Sequence, residues 1–110
     1  MKLPNRHKAY ISPDKLNNYL LSDSHLVGRI KSKLFRSFGF TQKNANDLER
    51  GLLALAYAED VREVITFKFG TKYRVEGTLE TPSGNKVVIR SIWIIETAED
   101  SPRLVTAYPI

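Results

Sequence analysis

The segment Lys86–Glu96, KVVIRSIWIIE, decides the fold class. It is apolar on both alternating rows, with Val87, Ile89, Trp93 and Ile95 on one and Val88, Ile92 and Ile94 on the other. Such a segment predicts a central strand covered on both faces or nearly so. Two polar residues interrupt it. Arg90 falls in the row of Val88 and Ile92, and Ser91 in the row of Ile89 and Trp93. A guanidinium on a mostly covered sheet face is costly unless an acid, a carbonyl or a ligand phosphate pairs with it. Glu76 or Glu80 would make Arg90 half of a structural salt bridge, and a phosphate would make it part of a site.

Outward from this strand the period-two pattern continues on both sides. Pro82, Ser83, Gly84 and Asn85 form a turn, before which Tyr73, Val75, Gly77 and Leu79 alternate with Arg74, Glu76, Thr78 and Glu80. That alternation predicts a strand with one buried and one wet face, joined to the central strand as a hairpin. Pro102 opens a last strand over 103–108, and Pro109 ends it. Residues 61–69 read as a further strand, although their acidic start leaves open that part of them prolongs the preceding helix.

The first half has helical spacing. Ser12 caps, Pro13 takes the first position and Asp14 complements the dipole of a helix that stops near Ser22, with Leu16, Tyr19 and Leu20 on one face. A second helix spans 24–38 and ends at Gly39 in a left-handed cap, with Phe40 folding back onto the last turn. Thr41 caps a third, in which Ala45, Leu48, Leu52, Leu55 and Ala56 recur at helical spacing. The expectation is an α+β domain, N-terminal helices packed on a C-terminal antiparallel sheet of three to four strands. Its 110 residues fit a single domain, helical over 1–59 and stranded over 60–110.

Composition narrows the function. There is no cysteine, so disulfides, thiolate metal sites and cysteine nucleophiles are excluded, and two histidines disfavour zinc. The opening MKLPNRHKAY has basic residues but no apolar run behind them, and no apolar run approaches membrane-spanning length. A cytoplasmic protein with no membrane partner is expected. Residues 1–50 carry ten Lys/Arg against four Asp/Glu, a net +6, whereas residues 51–110 carry seven against eight, a net −1. A basic half of this kind suits a polyanion such as RNA, or is simply a solvated face.

A helical wheel of residues 25–38 puts Leu26, Val27, Ile30, Leu34 and Phe38 in one apolar arc with Phe35 at its margin. His25, Arg29, Ser32, Lys33 and Arg36 lie opposite. Lys31 falls between Phe38 and Phe35, one turn after Gly28. A lysine there either snorkels past the aromatics to water or enters a cleft between helix and sheet.

Walker, GxGxxG, HExxH and GxSxG motifs are all lacking, which disfavours nucleotide-cofactor and metal chemistry. No cofactor and no metal are expected. The set that remains is His25, Lys31, Arg90, Ser91, Thr106 and Tyr108, with Arg29, Lys33, Arg36 and Arg103 as further phosphate contacts. Metal-independent RNA cleavage needs a base for the 2′-hydroxyl, cations for the phosphorane and an acid for the leaving 5′-oxygen. Histidine suits the proton transfers, and Lys and Arg the charge. The same residues also serve simple RNA binding.

Several of these residues form a longer pattern. Leu3-Pro4-Asn5, the run His25-x-x-Gly28-Arg29-x-Lys31 followed by Phe35, the Tyr73 strand, Arg90-Ser91-x-Trp93 and the ending PRLVTAY together resemble an uncharacterised bacterial domain family, over almost the whole chain. Members of that family occur as small stand-alone proteins and as terminal domains near toxin-immunity modules. The ending PRLVTAYP is similar to the closing strand of ribonuclease toxins of the barnase, EndoU, colicin D and RelE type. That resemblance implies metal-free RNA cleavage with roles for His25, Arg29, Lys31, Arg90, Ser91, Arg103, Thr106 and Tyr108, while Gly28, Tyr73 and Trp93 are structural candidates. It also implies a cognate immunity or antitoxin protein. The leading expectation is a metal-independent endoribonuclease of toxin type. The alternatives are a non-catalytic RNA- or protein-binding module, such as one component of a toxin-antitoxin pair, and a structural interaction domain with Arg90 tied to Glu76 or Glu80.

Overall fold

The computed structural model describes residues 1–21 and 28–110, with backbone alone over 28–32. The expected helix start at Ser24, together with His25, Leu26 and Val27, lies outside the described residues, as do the side chains of Arg29, Lys31 and Ser32.

Helix α1 begins at Pro13–Lys15 and widens into a π-helical turn over Leu16–Leu20. Its start follows the expected chemistry, since the Ser12 hydroxyl accepts from the Lys15 amide at 3.1 Å with Pro13 in the first turn. Helix α2, Gly28–Ser37, ends in a Schellman turn. Gly39 adopts φ 94°, its amide donates to the Arg36 carbonyl at 2.9 Å, and the Phe40 amide donates to the Phe35 carbonyl at 3.1 Å. The Phe35 and Phe40 rings then meet edge to face, 6.3 Å apart.

That turn corrects the wheel reading of α2. Phe35, expected at the margin, is fully buried, whereas Leu34 is 43% exposed. Folding Phe40 back onto Phe35 rotates the buried stripe towards Phe35. Helix α3, Ala45–Ala58, follows a short 3-10 turn at Gln42–Asn44. Thr41 and Asn44 cap this 3-10 turn reciprocally: the Thr41 hydroxyl accepts from the Lys43 amide at 3.2 Å, and Asn44 Oδ1 accepts from the Thr41 amide at 2.7 Å. Ala45, Leu48, Leu52, Leu55 and Ala56 are buried, as their spacing predicts.

Four antiparallel strands follow as a meander in the order β1-β2-β3-β4: Val61–Phe67, Gly70–Glu80, Lys86–Glu96 and Arg103–Pro109. The chain is α+β, as its sequence pattern predicts. No part of β1 prolongs the helix, because Glu59 is already extended at φ −90°, ψ 156°. On the inner face Val75, Leu79, Ile89, Trp93, Leu104 and Ala107 join the helical leucines and phenylalanines in one buried cluster. Gly77 permits the contact. A Cβ there would lie 2.8 Å from Leu55 Cγ, so α3 approaches β2 more closely than any other residue allows.

Strand β3 is central, with β2 and β4 on either side, but it is not covered on both faces. On its inner row Ile89, Ser91 and Trp93 are buried between half-buried Val87 and Ile95, whereas on the outer row Val88 is 45% exposed, Arg90 and Ile92 are half-buried and only Ile94, near the strand's end, is buried. The helices contribute their buried side chains to the inner-face cluster, which leaves the outer row to its cross-strand neighbours.

The N-terminal segment straps the sheet at two places. The Val61 amide donates to the Met1 carbonyl at 2.7 Å, and Tyr10 exchanges backbone bonds with Pro102 and Leu104 at 2.9 and 3.1 Å. Within it Leu3 is buried, and Asn5 sits in the left-handed region at φ 53° with Nδ2 donating to the Asp100 carbonyl at 2.9 Å. The Leu3-Pro4-Asn5 motif therefore fastens the N-terminus to the β3–β4 connection.

Candidate site on the outer sheet face

Cross-strand pairing fixes which side chains share the outer face. Glu76, Arg90 and Tyr108 lie side by side across β2, β3 and β4. Next to them run Glu63, Arg74, Ile92 and Thr106, then Ile65, Lys72, Ile94 and Arg103. A β-bulge in β4 completes the set. Ile92 pairs with Thr106 but Trp93 pairs with Leu104, so Val105 is the extra residue. Strict alternation would send Arg103 to the face opposite Thr106 and Tyr108. The bulge brings all three to the face of Arg90 and lets both Leu104 and Ala107 point inwards.

Arg90 is anchored at the centre. Its Nε donates to Glu76 Oε2 at 2.6 Å, and its guanidinium carbon lies 6.0 Å from the centre of the Tyr108 ring. Arg74 approaches the same carboxylate at 3.6 Å and Glu63 at 3.8 Å, and Arg103 pairs with Glu96 at 2.5 Å. The hydrogen bond from Arg90, helped by the charges of Arg90 and Arg74, holds the Glu76 carboxyl below its ordinary value. In turn Glu76 raises the guanidinium of Arg90 further, so both remain ionised at neutral pH. Glu76 is a fixed anion that aims Arg90 and is a poor proton acceptor.

Clefts flank the pair. One of about 200 Å³ is lined by Glu63, Ile65, Lys72, Tyr73, Arg74 and Ile92. A second, of about 310 Å³, is lined by Glu59, Arg62, Glu76, Gly77, Thr78 and Val88. An arginine fork carries five donors, so the one committed to Glu76 does not exhaust it.

Of the residues singled out in the sequence, the structure gathers Arg90, Arg103, Thr106 and Tyr108 on this face. It separates Ser91 from them. Ser91 is fully buried on the inner face, where its hydroxyl donates to the Val75 carbonyl at 2.7 Å and accepts from the Trp93 indole at 2.9 Å. With its donor given to Val75 and one lone pair to Trp93, its hydroxyl is engaged within the core, on the face opposite Arg90. Lys33 and Arg36 are exposed on α2, in the helical layer rather than on the sheet face. His25 and the side chains of Arg29 and Lys31 lie outside the described residues. Sequence reasoning did not single out Lys72, and read Arg74 as an ordinary wet position. Their signal was present in the alternation of Lys72, Arg74 and Glu76, which puts all three on the side of Arg90 once the register is known. Among the described residues no group of three or more His, Cys, Asp or Glu is placed to hold a metal ion. Nor, among them, is any helix long and apolar enough to cross a membrane.

Comparison with known proteins gives a family and a fold. The family described as "Domain of unknown function (DUF6883)" matches residues 2–110. No curated protein matches the chain. Among solved structures, one chain of a "Contact-dependent growth inhibition toxin - immunity protein complex" from Klebsiella pneumoniae 342 is similar at a TM-score of 0.73. The likeness covers 94% of this chain and 95% of that one at 16% identity, which establishes a shared fold.

Proposed function

The chain belongs to the DUF6883 family, and from that premise and the outer face we propose that it is a metal-independent endoribonuclease of toxin type. The observation that carries this reading is the convergence of Arg90, Arg103, Thr106 and Tyr108 on one sheet face by register and bulge. Arg90, aimed by Glu76, meets a phosphate oxygen and stabilises the charge that builds as the 2′-oxygen attacks phosphorus. Tyr108 and Thr106 supply hydroxyls beside it, and Arg103 holds an adjoining phosphate. His25 is the proton-transfer group, taking the 2′-hydroxyl proton and returning it to the departing 5′-oxygen, and Lys31 adds charge. The products are a 2′,3′-cyclic phosphate and a 5′-hydroxyl, so no water or metal is consumed in the first step. The shared fold with a chain of a toxin–immunity complex supports an immunity or antitoxin protein as the partner.

The closed Arg90–Glu76 pair favours a second reading, a non-catalytic module that binds RNA or protein, because a guanidinium already matched to a carboxylate gains less from a phosphate. Incubation of the purified protein with total RNA in chelator separates the two. Cleavage to cyclic-phosphate ends, lost in Arg90→Ala and His25→Ala and reduced in Tyr108→Phe, is the expected result. Intact RNA with the wild type at high protein concentration rejects the nuclease reading and leaves the binding module.

A further inference from the structure

The β1–β2 hairpin exposes apolar surface that the fold does not use. Phe67 and Phe69 are 38% and 64% exposed at its tip, held edge to face with centres 6.1 Å apart. Lysines sit over both rings, Lys72 Nζ 5.3 Å from Phe67 and Lys68 Nζ 5.6 Å from Phe69. The stretch VITFKFGTKYRV, residues 64–75, contains Lys68, Lys72 and Arg74 and no acidic residue. Burying two rings in a neighbour would be the ordinary use of such a tip, yet the chain leaves them in water with cations seated on them.

Register links this tip to the candidate site. Phe67 pairs with Gly70 and Ile65 with Lys72, so Phe67 shares the outer face with Lys72, Arg74 and Arg90. From Gly70 to Glu76 the strand advances about 20 Å, which is the separation between the aromatic tip and Arg90. Lys72, Arg74 and, across β3, Arg103 line the interval, the two arginines beside the carboxylates of Glu63, Glu76 and Glu96.

We propose that Phe67 and Phe69, with Lys68 and Lys72, form a stacking platform for unpaired bases, and that single-stranded RNA runs from this platform along the outer face to Arg90. This deepens the nuclease reading and rests on it for the assignment of Arg90. Aromatic faces stack on any base, and the flanking ammonium groups meet the phosphates, so the platform is tolerant of sequence but demands bases freed from a duplex. Charge complementarity selects this occupant, because residues 64–75 carry Lys68, Lys72 and Arg74 and no acid of their own, while Glu96, across from Gly70, is matched to Arg103, so the tip repels a basic partner and suits a polyanion that has planar rings.

The test uses a labelled 12-nucleotide 2′-O-methyl RNA, which binds but cannot be cleaved through its 2′-oxygen, beside a blunt duplex of the same sequence. The wild type is expected to prefer the single strand, and Phe67→Ala with Phe69→Ala to weaken that binding on the order of tenfold or more. Phe69→Trp is expected to retain affinity and to show indole quenching when the oligonucleotide binds. Both rings are exposed, so urea midpoints matching the wild type establish that the variants fold. Equal affinity of wild type and double variant overturns the platform. So does a concentration-dependent dimer without nucleic acid, or binding to phosphatidylserine vesicles in place of the oligonucleotide, if either is abolished by the same variant. The readings fail separately: loss of oligonucleotide binding in the double variant, with total RNA left intact by the wild type, keeps the platform and rejects the nuclease. Cleavage that depends on Arg90, with stacking variants binding normally, does the reverse.

Discussion

Arg90 and Ser91 are adjacent in the chain and face opposite sides of the sheet, and each defines a different test. Ser91 links Val75 to Trp93 inside the core, so Ser91→Ala leaves a buried indole N–H and a carbonyl without their partner. The expected loss is roughly 2 kcal/mol in urea unfolding, with RNA cleavage per folded molecule unchanged. A serine that took part in catalysis would lose rate and little stability. Glu76 carries the pH dependence. Its carboxyl is held below the ordinary value of 4.5 by Arg90, so the folded state binds its proton more weakly than the unfolded state does. The stabilisation is therefore complete above about pH 4.5 and disappears as pH falls through the lowered folded value. The difference in urea midpoint between wild type and Glu76→Gln is expected to be constant near neutrality and to shrink in acid. Both roles were partly legible: alternation placed Arg90 opposite an acid and Ser91 with Trp93. Only the register names Glu76 rather than Glu80 as the partner.

At the scale of elements, the turns carry opposite lessons about left-handed backbone. Gly39 closes α2 at φ 94°, and a Cβ there would stand 3.1 Å from the Pro82 Cβ and 3.3 Å from the Ser83 amide nitrogen. Gly39→Ala is expected to cost about 1–2 kcal/mol in thermal or urea unfolding. Ala98, in the β3–β4 connection, holds φ 74° without being glycine. Ala98→Gly relieves that strain at the cost of extra freedom in the unfolded chain, and the net expectation is a gain of about 0.5–1 kcal/mol. Glycine announced the first turn in the sequence, whereas alanine carries no signal for the second. The same asymmetry runs through the fold. Caps at Ser12 and Thr41, the helical leucines and the alternation of β2 are local patterns and were readable. The bulge at Val105 and the π-helical turn at Leu16–Leu20 are set by how strands and helices fit one another. The rotation of α2 onto Phe35 follows from a contact with Phe40 that a wheel of one helix omits. The bulge matters most, because it alone places Arg103 beside Thr106.

Across the whole molecule, the net charge lies in one half, while the arginine centre lies in the other. Residues 1–50 hold the excess of +6, while the outer sheet face belongs to the half with a net −1 and has its arginines matched to Glu63, Glu76 and Glu96. In the nuclease reading, the helical half would supply the long-range attraction for RNA, and the sheet the local contacts. Lys33 and Arg36, both exposed on α2, offer a direct separation of the two. Each cation that meets a phosphate of a single strand contributes about −0.7 to the slope of log K against log salt. In Lys33→Gln with Arg36→Gln, affinity for long single-stranded RNA is expected to fall, and the slope to become shallower by roughly 1.4. Cleavage of a dinucleotide, which spans only the Arg90 centre, is expected to proceed at the wild-type rate. An unchanged slope in the double variant would remove α2 from the path of the RNA and confine recognition to the sheet face. Loss of dinucleotide cleavage in that variant would instead place Lys33 or Arg36 in the reacting centre beside Lys31.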